Sequence, residues 1–140
     1  MSLFQLAAFA AGLGAFAVPA PLAGRRVLVV EDEYFLADDI SRELNLVGAQ
    51  ILGPVNQIDE ASTLLESGER VDAAVLDVNV ASEMVFPLAR ALRSRNVPFL
   101  FTTGYDRNVV APEFDDVVLL SKPLDIAALV RELSDLLQKR

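Results

Sequence analysis

Residues Val27–Asp39 read VLVVEDEYFLADD. Four aliphatic residues, Val27 to Val30, run straight into Glu31, Asp32 and Glu33. An apolar run without polar alternation suits a strand buried on both faces, and such strands belong to parallel sheets covered by helices. The three carboxylates that end it are harder to account for. Neighbouring carboxylates repel, and burying them unpaired is costly. Either they form a solvated turn or they surround a cation.

Beyond this stretch the chain alternates regularly. Short β-rich runs occur at Val27–Val30, Ala49–Gly53, Ala73–Leu76, Phe99–Thr102 and Val117–Leu120. Helix-period segments separate them. In the first, Leu36, Ile40, Leu44 and Val47 share a face and Gly48 supplies a stop. The second starts from Asn56 as N-cap, turns Ile58, Ala61 and Leu65 inward, and ends near Gly68. The third places Val85, Leu88, Ala89 and Leu92 together; Pro87 is tolerated only in a first turn, so this helix begins near Met84–Phe86. The fourth, Asp106 to Glu113, contains Pro112 and is expected to form a turn or two of helix at most. The last carries Ile126, Leu129, Val130, Leu133, Leu136 and Leu137 at i, i+3, i+4, i+7 spacing, with Lys139 and Arg140 placed to complement the helix dipole. The pattern predicts an α/β fold: a five-stranded parallel sheet, doubly wound, with a short fourth helix.

Composition narrows the chemistry. The 140 residues suffice for one domain with a proper core. Cysteine and histidine are both absent, which removes disulfides, thiolate metal sites, cysteine catalysis and the usual general base. Twelve basic against twenty acidic residues give a net charge of −8, unfavourable for nucleic-acid binding. Chemistry must rest on carboxylates, hydroxyls, lysine and backbone, with or without a hard metal ion.

Residues 1–24, MSLFQLAAFAAGLGAFAVPAPLAG, carry no charged side chain. Leu6, Phe9, Leu13 and Phe16 would form one seam on a helix. A signal peptide would want a basic start, and Gly12, Gly14 and Pro19 interrupt any membrane span. The segment reads as an apolar extension: a linker, or a helix that docks on the domain or pairs with a second copy in a homodimer. Pro19, Pro21 and Gly24 mark the boundary to a domain at 25–140. A cytoplasmic location without membrane association is expected.

In open parallel sheets, ligands bind at the carboxyl ends of the strands where the strand order reverses. The first strand ends in Glu31-Asp32-Glu33, the third in Asp77, the fourth in Thr102-Thr103-Gly104 and the fifth in Ser121-Lys122-Pro123. One rim therefore collects carboxylates, a hydroxyl and a lysine. This set suits Mg²⁺, which takes oxygen ligands from one or two carboxylates together with water and phosphate. Asp32 and Asp77 are the candidate direct ligands, with Glu31 holding a metal-bound water. A carboxylate can also act as a phosphoryl-accepting nucleophile, and Lys122 and Thr103 offer a charge and a donor for the developing negative charge. Gly104 leaves room beside the hydroxyl.

VLVVEDE, AVLDVNV, PFLFTTGYD and LLSKPLD, in this order, resemble the receiver domain of two-component response regulators, a flavodoxin-like module with strand order 2-1-3-4-5. The resemblance covers about residues 25–140. It implies Asp77 as phosphoacceptor, Glu31 and Asp32 as the acidic Mg²⁺ pair, and Asn79 as a metal ligand through its backbone carbonyl. It further implies Thr103 as the switch hydroxyl, Lys122 as its partner, and a cis bond before Pro123. The donor would be a histidine kinase or phosphotransfer protein, and the domain a signalling receiver that at most catalyses its own phosphorylation and dephosphorylation. With no DNA-binding segment expected after Arg140, output would run through an unidentified protein partner.

FTTGYD is similar to the Phe-Ala-Thr-Gly receivers of alphaproteobacteria, with Thr102 where alanine is usual. DAAVLDVNV and VPFLFTTGYD are similar to C-terminal receivers of HWE-class hybrid kinases. Two departures stand out. Only 18 residues separate Thr103 from Lys122, and Leu119 stands where many receivers carry a switching aromatic, leaving Tyr105 as the nearest substitute. Glu33, with Asp38 and Asp39, is expected on a solvated helix face. Two alternatives use the same residues: a receiver-fold interaction module that no longer takes phosphate, and a haloacid-dehalogenase-type phosphatase. The second needs an acid two residues after Asp77, where Asn79 stands.

Overall fold

A computed structural model of the chain describes residues 20–139. Its main sheet is built from β1 (Arg26–Val30), β2 (Gln50–Val55), β3 (Ala73–Asp77), β6 (Phe99–Thr103) and β7 (Leu119–Ser121). A two-residue hairpin, β4 (Asn79–Val80) with β5 (Glu83–Met84), stands apart. The helices are α1 (Tyr34–Leu46), α2 (Ile58–Glu66), α3 (Phe86–Ser94) and α4 (Ile126–Gln138). All main-sheet pairings are parallel, in the order β2-β1-β3-β6-β7. Counting the sheet strands in sequence, this is the 2-1-3-4-5 order of the flavodoxin-like fold.

The strand residues alternate between two cores, as the period of two requires. Leu28, Val30, Ala74, Leu76, Phe99 and Phe101 pack on one face under α2 and α3. Val27, Val29, Ala73, Val75 and Leu100 pack on the other under α1 and α4. Every residue of β3 is buried, which explains why AAVLD shows no polar alternation. The chain leaves β1 for β2 on one side and reaches β3 on the other, so the strand order reverses at β1/β3. The crevice at their carboxyl ends is where such sheets bind ligands.

Several boundaries differ in detail from the sequence expectation. The N-cap of α2 is Gln57 and not Asn56, without a side-chain capping bond; Asp59 and Glu60 in the first turn complement the dipole instead. Asp125 caps α4, its Oδ1 accepting from the Ala128 amide at 3.2 Å. Lys139 is the C-cap of α4, and Arg140 lies outside the described residues. Between β6 and β7 only two 3₁₀ turns form, Arg107–Val109 and Pro112–Phe114.

The seam Leu6, Phe9, Leu13 and Phe16 lies outside the described residues. The end of that apolar segment packs onto the sheet domain. Leu22 is fully buried in the α1/α4 core, and its amide donates to the Val47 carbonyl at 3.0 Å. Gly48, with φ +100°, faces this stretch so closely that a Cβ there would come within 2.8 Å of Ala23 Cα. Only glycine fits both the conformation and the contact.

Candidate functional site

Four strand ends deliver the rim. Glu31 directly follows β1 and is only 2% exposed, and Asp77 ends β3 with 6% exposed. Thr103 closes β6 and is fully buried. Lys122 follows β7, its amide donating to the Thr103 carbonyl at 2.8 Å. These four residues come together as the sequence predicts.

Lys122 is the electrostatic centre. Its Nζ donates to Asp77 Oδ2 at 2.8 Å and to Glu33 Oε2 at 2.7 Å, and lies 3.0 Å from Glu31 Oε1. Burial alone would lower the Lys122 pKa, but its contacts with the Asp77, Glu33 and Glu31 carboxylates outweigh that and hold it above the ordinary lysine value. The Lys122–Pro123 bond is cis, as is Gly53–Pro54.

Carboxylate oxygens of Glu31, Asp32 and Asp77 all lie within 4.8 Å of one another. Each is held by backbone donors: Glu31 Oε2 by the Glu33 amide at 3.0 Å, Asp77 Oδ1 by the Asn79 amide at 3.2 Å, and Asp32 Oδ2 by the Ala81 amide at 2.9 Å. The last bond ties the β4–β5 turn, where Ala81 and Ser82 adopt positive φ of 50° and 66°, to the acidic group. Two non-glycine residues in that region are strained, and Asp32 helps to hold them.

These residues fit a hard divalent cation. The donor set is wholly oxygen, as Mg²⁺ demands. Glu31 Oε1 is buried and makes no hydrogen bond among the described residues despite its ion-pair contact. The Glu31 carboxyl is pushed up to about 7, first by burial and also by the adjacent charge of Asp77; the Glu33 amide and Lys122 offset only part of this. A cation between the carboxylates would turn that repulsion into attraction.

The remaining predicted residues sit nearby. Thr103 Oγ1 accepts from the Tyr105 amide at 2.9 Å, so the hydroxyl caps its own loop. Gly104 and Tyr105 are exposed, and Tyr105 reaches Thr103 through its backbone while its ring faces solvent. Asn79 is half-buried and orients Asp77 through its amide, a role that needs no acid.

Two features were not read from the sequence. Glu33 is solvated, as expected of a helix-face residue, but it also bonds Lys122, 89 residues away; a long-range contact leaves no periodic trace. Thr102, the register partner of Asp77, buries a hydroxyl that finds no hydrogen-bond partner among the described residues. Its only signal was the presence of threonine where the similar receivers carry alanine.

No family model matches the chain. Among solved structures it is similar to the BeF3-activated conformation of SdrG from Pseudomonas melonis Fr1, at 33% identity over 82% of this chain and 98% of that one, with a TM-score of 0.68. The chain belongs to the response regulator receiver family. A response regulator receiver protein from Sinorhizobium medicae WSM419 is 25% identical over 81% of this receiver and 94% of that chain, with a TM-score of 0.72. The sensory transduction protein LytT of Bacillus subtilis is 28% identical over 105 residues, 71% of this chain. The receiver spans only 43% of the length of LytT. As a receiver domain it is a signalling module. Among the described residues no helix is long and apolar enough to cross a membrane.

Proposed function

We propose that this receiver accepts a phosphoryl group on Asp77 from a phosphohistidine of a partner kinase or phosphotransfer protein. The observation that carries this reading is the position of the Asp77 carboxylate: nearly buried, oriented by Asn79, touched by Lys122, and grouped with Glu31 and Asp32. With no histidine among these 140 residues, the donor imidazole lies outside this domain.

An Asp77 oxygen attacks phosphorus, the acyl-phosphate bond forms, and the phosphorus–nitrogen bond to the donor breaks with its electron pair returning to the imidazole. Lys122, already at Asp77, neutralises charge on the phosphoryl oxygens. Thr103 supplies a hydroxyl donor once it turns from its loop. Asp32 and Asp77, the Asn79 carbonyl and Glu31 through a water would hold Mg²⁺, which when bound disperses negative charge and keeps the phosphate oriented. Tyr34 and Phe35, which follow Glu33, Met84 in β5 and Tyr105 in the loop after β6 are exposed. Apolar groups around a buried carboxylate favour a protein donor.

The phosphoryl group would bias a two-state equilibrium through Thr103 and Lys122 and so change protein contacts. The test is incubation with acetyl phosphate and Mg²⁺ followed by intact mass. The wild type should gain one phosphoryl group, dependent on Mg²⁺, and Asp77→Asn should gain none. Phosphorylation that survives in Asp77→Asn would sink the assignment. An absence of phosphorylation from a phosphorylated kinase as well, with Mg²⁺ still bound, would leave an interaction module.

A further inference from the structure

Glu33 offers the clearest contact that the transfer reaction does not use. It is the N-cap residue of α1, where a carboxylate is favoured by the helix dipole, yet its side chain makes no capping bond. It reaches instead across the crevice to Lys122, at 2.7 Å. An ammonium has three donors and no acceptor. Three carboxylates surround this one, those of Asp77, Glu33 and Glu31.

Asp77 and Glu33 take hydrogen bonds from Nζ and Glu31 lies beside it as an ion pair, so a phosphoryl group arriving at Asp77 meets a lysine enclosed by carboxylates and gains close contact as one of them withdraws. Asp77 keeps its contact until its own oxygen is esterified, so during attack the yielding carboxylate is another one. Glu31 is buried, with its other oxygen fixed by the Glu33 amide. The Glu33 side chain is 61% exposed and can pass into water at little cost. We propose that Glu33 is a positioning residue that acts as a placeholder, occupying the contact of Lys122 that the incoming phosphoryl group must take. It holds the lysine over Asp77 in the resting receiver and slows phosphorylation until it is displaced. This rests on the reading of Asp77 as phosphoacceptor.

The role depends on contact and not merely on charge, so two variants separate the possibilities. Glu33→Gln removes the charge and weakens the bond. Glu33→Asp keeps the charge but shortens the reach by about 1.5 Å, one carbon–carbon bond, and the shorter side chain is drawn to cap α1. Initial rates of phosphorylation by acetyl phosphate with Mg²⁺ would be followed by intact mass on the full chain. Both variants should react faster than wild type by about threefold to tenfold, the rate equivalent of one charge-assisted hydrogen bond at an exposed position. A Glu33→Gln rate equal to or below wild type overturns the proposal. So does a fast Glu33→Gln beside a Glu33→Asp at the wild-type rate, which would mark simple repulsion of the anionic donor. A wild type that takes no phosphate, or an Asp77→Asn that does, overturns the acceptor assignment first and the placeholder role with it.

Discussion

Removing the charge of Glu31 should invert the usual effect of losing a buried carboxylate. In the fold its carboxyl is pushed up to about 7 from an ordinary value of 4.5, chiefly by burial and then by Asp77. The folded state therefore holds a proton that the unfolded chain has released. Stability is fully present below the unfolded value and falls as the pH rises through the folded one. At about 1.4 kcal/mol for each pH unit in that window, the loss is of order 3 kcal/mol. No other resolved shift interferes. Lys122, held above its ordinary value, loses its contribution only at far higher pH. Glu113, held low by Arg90, matters only below 4.5. Urea denaturation from pH 5 to 8 at fixed ionic strength, without divalent cation, should show the wild-type midpoint falling and that of Glu31→Gln nearly flat. Glutamine keeps the acceptor for the Glu33 amide and is neutral throughout. Mg²⁺ should restore wild-type stability more at pH 8 than at pH 6, since Glu31 is mostly ionised at the first and mostly protonated at the second. A wild-type midpoint that stays level or rises between pH 5 and 8, or a Glu31→Gln slope equal to wild type, would refute the reasoning.

Two further outcomes follow from packing. Thr102→Val removes a buried hydroxyl that has no partner among the described residues, so it should be neutral or raise stability by about 1 kcal/mol; a loss of that size in thermal denaturation would show that the hydroxyl is satisfied. Leu22→Ala should cost about 2–4 kcal/mol, as for a fully buried leucine in a core, and an unchanged urea midpoint would show that residues 20–24 contribute nothing to the fold.

The architecture was legible because its signals are local and periodic. VLVV and AAVL announce strands buried on both faces, and Gly48 and Gly68 end the first two helices with the positive φ that glycine permits. The site was legible because the fold gathers strand ends, so Glu31, Asp77, Thr103 and Lys122 could be brought together from topology alone. What escaped was set by side-chain reach in three dimensions. Glu33 has the spacing of a helix-face residue, and nothing near it in sequence points to Lys122. Asn56 looks like a cap, but the helix starts one residue later. Leu22 lies among residues with no charge and no strand pattern, and it packs where it does through its amide bond to the Val47 carbonyl and the approach of Ala23 to Gly48.

The crossover from Thr103 to Lys122 makes the deeper point about how this receiver can communicate. A parallel crossover is usually a helix, which satisfies its own backbone. Here short backbone bonds, such as Val110 N–H to Arg107 O and Phe114 N–H to Ala111 O, do part of that work, and guanidinium groups add to it. Arg107 donates to the Val117 carbonyl at 2.7 Å and to that of Phe114 at 3.5 Å, and Arg93 donates to the Glu113 carbonyl at 2.9 Å. Arg93 also lies over the Phe114 ring, 4.9 Å from its centroid, while Phe114 itself is fully buried against Phe86, Phe99 and Phe101. The exposed pair Arg90–Glu113 adds little by itself. The far half of the crossover is thus pinned by an aromatic anchor, and the near half begins at the Thr103 hydroxyl, which accepts from the Tyr105 amide. A hydroxyl that turned toward a phosphoryl group on Asp77 would give up its acceptor position at Tyr105 first. In the proposed reading, the signal leaves the site through the backbone of Tyr105 and the exposed loop behind it, because there is no helix in this segment to shift as a body.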